Sequence, residues 1–323
     1  MVSLSTNTLT RVNYGAFALH LLLLLSLVVY RFVKKPKKTS AILLRDTLAP
    51  PRGVAECDCY AEEAVESLGA TFDIVWAIAA FCAITAGAHL VYATDAFGLY
   101  SKFIAGGSNS MRWIEYGITA SLMLGIVAVL SGIRNLEKLL LLMAANAVVM
   151  LQGFYVEKAI VAEASVFEKL LPLVVGWGLF ILIFYVVVFR YQRGINYGSK
   201  VAKRCATVAT EEGRENEIVE SESSSSTLSD VRAAPAAIKY LIWIVVAFFV
   251  SFGLVNAVHV FSSFRGTPDF AVYELTYVAL SFVSKAFLTI YVMSAVLGGE
   301  LAWLQGLGSA DEPSRCIQAN DTR

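Results

Sequence analysis

Charge and histidine are both scarce in this chain of 323 residues. Only 16% of the residues are charged, and 26 basic residues balance 26 acidic ones, so no basic excess indicates nucleic-acid binding. The three histidines and five cysteines lack metal-ligand spacing, which argues against a metal site. What the chain has in abundance is apolar: 57% of its residues are hydrophobic and its mean hydropathy is +0.64. This composition predicts a polytopic membrane protein.

Seven apolar segments are each long enough to cross a hydrocarbon layer of ~30 Å as a helix. They cover approximately residues 14–33, 72–94, 111–133, 136–156, 167–189, 238–261 and 270–297. The runs are continuous and do not alternate with polar residues, which excludes a β-barrel. The first run has no small-residue cleavage site, so we interpret it as a retained span. The sequence therefore predicts an all-α fold, a bundle of seven transmembrane helices.

Two long connections interrupt the bundle. Residues 1–307 are predicted to form one membrane domain with loops at 34–70 and 192–235, and residues 308–323 a short polar tail. The second loop contains a serine run that ends at Ser226, a composition that predicts disorder and a spacer or a phosphorylation target. Lysine and arginine concentrate on the side of these two loops and of the C-terminus, so the positive-inside rule places the C-terminus in the cytoplasm.

One lysine lies in the middle of the last apolar segment. Lys285 has almost no other charge within a dozen residues on either side. Its stem of about 6 Å is too short to bring the ammonium to a membrane surface, and burial at that depth costs at least about 3 kcal/mol. The residue therefore needs an anionic partner or a chemical role. It is either half of a structural ion pair or the site of an imine with an aldehyde, the reaction for which proteins use lysine.

The third segment supplies an anion for this lysine. It opens with the run RWIEY at 112–116, and positions 112, 115, 116, 119 and 123 form one stripe at helical spacing. Glu115 is the only acid in its first turns, and a cationic nitrogen at low dielectric needs a nearby anion. We predict that Glu115 is the counter-ion of Lys285. The alternative is a glutamate at the helix end that faces the lipid headgroups.

These motifs resemble those of heliorhodopsins, a family of microbial-type retinal proteins. The runs RWIEY at 112–116 and ASLM at 120–123 are similar to the signature of the family's third helix. The run NAVVM at 146–150, followed by Gly153 and Glu157, is similar to its fourth helix, and Ser281, Ser284 and Lys285 have its retinal-lysine arrangement. The resemblance covers all seven segments. It implies a rhodopsin-like bundle that carries all-trans retinal on Lys285 as a protonated Schiff base, with Glu115 as counter-ion.

The resemblance also implies roles for further residues. The residues expected near the Schiff base are Ser281, Arg112, Tyr116 and Thr119, and Ser281 would hydrogen-bond either the Schiff base, Glu115 or its own helix. His20 and His89 match histidines of an internal polar cavity, where they relay protons or are simply hydrogen-bonded. Retinal needs a flat apolar slot with aromatic walls. Besides Tyr116, the candidate wall residues, each of which alone is more often ordinary packing, are Trp113, Met123, Met150, Trp177, Phe180, Phe248 and Phe252.

The function predicted from this resemblance is a light-sensing photoreceptor with a slow, signalling-type photocycle, and not an enzyme. A proton pump needs acids along both half-channels, and residues 124–130 carry none. Light-driven or light-gated proton or ion transport is the alternative, for which Glu157, Glu163 and Glu168 would be either path residues or, more simply, solvated loop residues. A further alternative is a seven-helix transporter or receptor without a chromophore.

The same resemblance implies a location and a partner. The protein is expected in the cell membrane, in contact with lipid, as a homodimer that binds no nucleic acid. Heliorhodopsins have the N-terminus in the cytoplasm, which is the reverse of the orientation that the lysine and arginine count predicts for this chain. We take the family's orientation as the expectation. The sequence identifies no signalling partner.

Overall fold

The computed structural model describes residues 6–34, 40–46, 65–211, 236–266 and 269–297. Its helices are α1 (Thr6–Lys34), α2 (Ile74–Thr94), α3 (Leu99–Ala105), α4 (Ser110–Leu130), α5 (Leu136–Val161), α6 (Val166–Glu211), α7 (Ala236–Ser263) and α8 (Phe270–Leu297). All except the short α3 are long and apolar enough to span a membrane. The predicted all-α bundle of seven transmembrane helices is confirmed.

The seven spans close into a ring, and α4 is the most buried of them. Each span contacts the next in the order α1, α2, α4, α5, α6, α7 and α8, and α8 returns to contact α1. In the most apolar stretch of α4, 72% of the residues are buried inside the bundle, whereas the corresponding value for α1 is 17%. Large apolar side chains such as Leu22, Leu141 and Ile181 are exposed on the outside, as lipid-facing positions require. The charged residues of α4 therefore face the interior.

Polar residues next to the spans fix where the helices begin. Asp73 caps α2, because its carboxylate accepts hydrogen bonds from the backbone N–H groups of Val75 and Trp76. The same carboxylate lies 3.0 Å from Nη2 of Arg31, which ties the end of α1 to the start of α2. Asn109 caps α4 in the same way by accepting a bond from the backbone N–H of Arg112. These caps fix the first residues of α2 and α4.

The first long connection contains a small sheet that the sequence analysis did not foresee. Strands β1 (Ser40–Asp46) and β2 (Val65–Asp73) pair antiparallel, with Ser40 opposite Asp73 and a bulge after Ile42. Strand β1 contacts α5. Strand β2 leads directly into α2, so this span begins at Ile74 and not at about residue 72.

The fifth span continues well past its predicted end. α6 remains helical to Glu211, so the prediction of a loop is wrong for residues 192–211. Seven of the twenty residues in this stretch are alanine, lysine or arginine, which have high helix propensity. The rest of the predicted loop at 212–235, with its serine run, lies outside the described residues. So does the predicted tail at 308–323.

An apolar cluster fills the half of the bundle near the C-terminal end of α4. Residues 124–130 of α4 are all buried, and they pack against Leu27, Ile74, Leu288 and Val292 from three other spans. The opposite half, near the N-terminal end of α4, contains buried charged side chains such as Arg112 and Glu115. The fold thus separates an apolar half from a polar half.

Candidate functional site

An enclosed ion pair joins α8 to α4 near the middle of the bundle. Nζ of Lys285 lies 2.5 Å from Oε1 of Glu115, and the two residues are only 3% and 7% exposed. Charges in a low-dielectric interior attract strongly, and either one alone would be costly to bury. The structure therefore brings together the two residues that the sequence predicts as a pair.

Two threonines complete the surroundings of the Glu115 carboxylate. Thr119, one turn along α4, donates its hydroxyl hydrogen to Oε1 across 2.9 Å. Thr85 of α2 donates to the same oxygen across 2.6 Å and accepts a bond of 2.7 Å from Nζ of Lys285. Thr119 was predicted near this site, whereas Thr85 was missed. Its position one turn before His89 on α2 is the signal that points to it.

Two adjoining cavities extend from the ion pair. The first is lined by Lys285 itself and shares Tyr116, Met150, Phe249 and Phe252 with the second. All seven predicted wall residues line one or both cavities: Met123 and Phe248 the first, Met150 and Phe252 both, and Trp113, Trp177 and Phe180 the second. The lysine amine thus lies at one end of a path with aromatic walls.

Two glycines let indole rings approach the backbone along this path. A Cβ atom at Gly153 of α5 would lie 2.3 Å from the ring of Trp113. A Cβ atom at Gly253 of α7 would lie 2.7 Å from the ring of Trp177. Both distances are far below contact distance, so these positions require glycine for the two tryptophans to lie where they do.

Tyr116 and Ser281 lie beside the lysine. The ring of Tyr116 is 5.2 Å from Nζ of Lys285, and its hydroxyl donates to the backbone carbonyl of Tyr277 across 2.9 Å. Ser281 lines the cavity with Lys285, and its buried hydroxyl has no hydrogen-bond partner among the described residues. Ser281 therefore bonds neither Glu115 nor its own helix here, and it lines the same cavity as Lys285.

The two predicted cavity histidines lie together on the far side of the ion pair. The rings of His20 and His89 stack with their centroids 5.7 Å apart, and both residues are buried. Nδ1 of His89 lies 2.8 Å from Oδ1 of Asn13. Neither ring nitrogen of His20 has a hydrogen-bond partner among the described residues. One imidazole is thus held in place by Asn13, while the other has free nitrogens.

Arg112 does not join the ion pair, although it lies on the stripe that carries Glu115. Its guanidinium bonds the carboxylates of Glu157 on α5 and Glu274 on α8. Long side chains in helices lean towards the N-terminus of their helix, so Arg112 reaches away from Lys285. Arg112 was predicted to lie near the Schiff base, but its charged group bonds neither Glu115 nor Lys285 and instead bonds Glu157 and Glu274.

These three residues form a second buried cluster, which we call the Arg112 cluster. Glu157, Glu163 and Glu168 were expected to be solvated, and Glu163 and Glu168 are indeed exposed. Glu157 is instead 0% exposed, as is Glu274. Glu274 was missed, although it lies three helical turns before Lys285 on the same face. Glu157 shares a face of α5 with Gly153 and Met150, a spacing that would also have indicated an inward position.

Neutral donors surround the carboxylates of the Arg112 cluster. Asn109 donates its backbone N–H to Glu157 across 3.2 Å and its side-chain amide to Glu274 across 2.7 Å. The hydroxyl of Tyr100 donates to Glu274 across 3.5 Å. Burial raises the pKa of Tyr100 to about 12, which keeps this phenol a neutral donor.

Comparison with known proteins agrees with this geometry. The family model of heliorhodopsin matches residues 9–200, which is more than half of the chain. No curated protein matches. A buried lysine amine at the end of an aromatic cavity that Ser281 also lines fits the aldehyde end of retinal. The chain belongs to the heliorhodopsin family of retinal-binding, photoactive membrane proteins.

Proposed function

We propose that this heliorhodopsin is a light-sensing photoreceptor, not an enzyme, which holds all-trans retinal on Lys285 with Glu115 as counter-ion. One observation carries the proposal: Nζ of Lys285 lies at the end of the aromatic cavity and 2.5 Å from Oε1 of Glu115. Bound retinal supplies the absorption of visible light and the isomerisation of a polyene.

The residues of the chain hold the charge at the lysine nitrogen and keep water away from it. Oε1 of Glu115 accepts from Lys285, Thr85 and Thr119, so the anion cannot rotate away without losing all three bonds. The rings of Tyr116 and Phe252 pack edge to face, 5.6 Å apart, along the cavity. Charge interactions at such an enclosed site are strong, because little solvent screens them.

The His20 and His89 pair supports a proton acceptor on the other side of Lys285. Both rings are close enough to Lys285 for its charge to act on them. Neither ring nitrogen of His20 has a hydrogen-bond partner among the residues that the structure describes, so His20 can take up a proton without first breaking such a bond. A proton held at this enclosed pair returns slowly, which suits a slow, signalling-type photocycle.

The apolar half of the bundle supports sensing over transport. A proton that leaves Lys285 towards the C-terminal end of α4 meets only the buried cluster around Val127 and Leu288. Acids and histidines line proton paths in membrane proteins, and neither residues 124–130 of α4 nor the described side chains of this cluster include one. The buried acids Glu157 and Glu274 lie in the other half only. Transport therefore remains the second candidate.

The orientation and the assembly of the protein belong to the same proposal. We place the N-terminus in the cytoplasm and pair the protein as a homodimer in the cell membrane, because the family resemblance implies both. Labelling of a cysteine introduced at the N-terminus in intact cells tests the orientation. The mass of the detergent-solubilised protein, measured by light scattering, tests the dimer.

The test of the chromophore assignment is the variant Lys285→Ala in the full chain. Addition of all-trans retinal is expected to give visible absorbance with the wild type and none with Lys285→Ala. The matched control is Lys169→Ala, which removes another buried lysine whose Nζ lies against the ring of Phe264. This control is expected to retain the pigment. A pigment that survives in Lys285→Ala refutes the assignment.

A further inference from the structure

The Arg112 cluster contains more acid than base. Arg112 donates through Nη1 to Glu274 and through Nη2 to Glu157, so one guanidinium serves two carboxyl groups. All three side chains are almost completely shielded from solvent. Fully ionised, the three groups would carry one net negative charge inside the bundle.

No second cation contacts either carboxyl group among the described residues. The remaining donors to them are neutral, namely the Asn109 backbone, the Asn109 amide and the Tyr100 hydroxyl. The other titratable groups that face the cluster are Tyr92 of α2, Tyr116 of α4, Tyr277 of α8 and His259 of α7. His259 stacks on Tyr273 with 4.1 Å between ring centroids and has no hydrogen bond to Glu157 or Glu274.

A buried carboxylate without a counter-charge binds a proton, because burial penalises only the charged form. We infer that Glu157 and Glu274 share one proton in the folded protein, so that the Arg112 cluster is an internal proton-binding site separate from Lys285 and Glu115. The proton comes from water and forms an O–H bond on one carboxyl group. The cluster then contains one guanidinium cation, one carboxylate and one neutral acid.

The hydrogen bonds indicate which carboxyl group keeps the charge. Glu274 accepts from Arg112, from the Asn109 amide and from Tyr100. Glu157 accepts from Arg112 and from one backbone N–H. Because each donor stabilises the anion, Glu274 holds the negative charge and Glu157 the proton. Nε of Arg112 and the hydroxyl of the adjacent Tyr277 are buried and have no hydrogen-bond partner within the described ranges, so they suit internal water.

This site is a property of the folded chain and does not require retinal. Its connection to light rests on the proposed function: Arg112 lies one turn before Glu115 on α4, so a change of charge at Glu115 acts on the proton through a poorly screened interior. The proton at the Arg112 cluster is therefore tested on the retinal-free protein. The result of that test does not depend on whether the photoreceptor assignment is correct.

Infrared spectroscopy of the full chain in lipid nanodiscs, without retinal, tests the site directly. At neutral pH the wild type is expected to show the C=O stretching band of a protonated carboxylic acid that shifts in D2O. Glu157→Gln and Glu274→Gln are each expected to remove this band, because the one remaining carboxyl group pairs with Arg112 as an anion. The control Glu163→Gln alters an exposed acid and is expected to leave the band in place. A band that persists in both variants, or no such band in the wild type, overturns the inference.

Thermal unfolding of the same samples shows whether a variant loses the infrared band because the protonation of the cluster changes or because the protein is misfolded. Glutamine copies a protonated glutamic acid, so Glu157→Gln is expected to unfold within about 4 °C of the wild type. Glu274→Gln should unfold earlier, since it forces the charge onto the carboxyl group with fewer donors. The double variant leaves Arg112 without an anion and should be the least stable by a wide margin. If Glu157→Gln lowers the unfolding temperature as much as the double variant does, both acids are ionised and the inference is wrong.

Discussion

The hydroxyl of Thr85 donates a hydrogen bond of 2.6 Å to Oε1 of Glu115 from a helix that carries neither member of the ion pair. α2 thereby becomes a third support of the site, next to α4 and α8. The same hydroxyl accepts from Lys285 across 2.7 Å, so it lies between the two charges and touches both. The neutral side chain of Thr85 thus helps to hold the carboxylate of Glu115 and the amine of Lys285 in their relative positions.

Replacement of Thr85 by valine, which has the same shape, tests this role. The variant Thr85→Val removes a donor to a charged group and should cost about 1.5–3 kcal/mol of stability. Without this donor the negative charge of Glu115 acts more fully on the lysine nitrogen, so the retinal pigment should absorb at shorter wavelength. Absorbance spectra and thermal bleaching check both effects. The control Thr94→Val lies on the same helix, where the exposed hydroxyl bonds only its own backbone, and no shift is expected. A shift to longer wavelength in Thr85→Val would show that Thr85 positions the carboxylate instead.

The identity of the counter-ion is tested by Glu115→Gln. Loss of the anion narrows the gap between the ground and excited states, so the pigment should absorb at longer wavelength. Breaking a buried ion pair on one side also costs about 3–5 kcal/mol, so faster thermal bleaching should accompany the shift. Glu115→Asp keeps the charge and is expected to shift the absorbance less. An unchanged spectrum in Glu115→Gln would assign the counter-ion to another residue.

The sequence was sufficient to predict the Lys285 and Glu115 pair because charge is so costly in a membrane. Two isolated charges of opposite sign in different apolar segments are expected to pair inside the bundle, because each would be costly to bury alone. Thr85 escaped notice for the opposite reason. A threonine hydroxyl inside a helix usually bonds its own backbone, as Thr94 does, and the spacing of Thr85 one turn before His89 indicates an inward position but no bond to Glu115.

The Arg112 cluster could be predicted only in part. Helical spacing correctly places positions 112 and 115 on one face, but spacing does not state how far a long side chain reaches along the axis. Glu157 lies at the end of an apolar segment, where a loop is the simpler interpretation. Only the packing of α5 and α8 around the start of α4 shows that Glu157 and Glu274 meet the same guanidinium.

The two long connections show the limit of hydropathy. Apolar runs mark where a helix crosses the membrane, but they do not mark where the helix ends, so the extension of α6 to Glu211 was missed. The pairing of β1 with β2 joins residues that are far apart in the chain, such as Ser40 and Asp73. Local sequence patterns carry little information on such a pairing.

The close approach of Trp113 to α5 predicts the effect of Gly153→Ala. A Cβ atom there would lie 2.3 Å from the indole ring, so the ring must move into the cavity. Overpacking of this kind costs about 1–3 kcal/mol, and the displaced ring should slow pigment formation after retinal addition. Gly178→Ala on α6 is the control, because no atom lies within 4 Å of its added Cβ. Equal rates of pigment formation in both variants would show that Trp113 does not border the chromophore.

The apolar half of the bundle predicts the electrical response to light. In a voltage-clamped cell, continuous illumination of the wild type is expected to produce no sustained photocurrent, because the described side chains of the buried cluster around Val127 include no acid and no histidine. Lys285→Ala controls for heating and other light effects on the cell. A brief current that decays under constant light agrees with charge that shifts inside the bundle between Lys285 and its neighbours. A steady current that disappears in Lys285→Ala requires a continuous path past Val127, and it would replace the sensor assignment with transport.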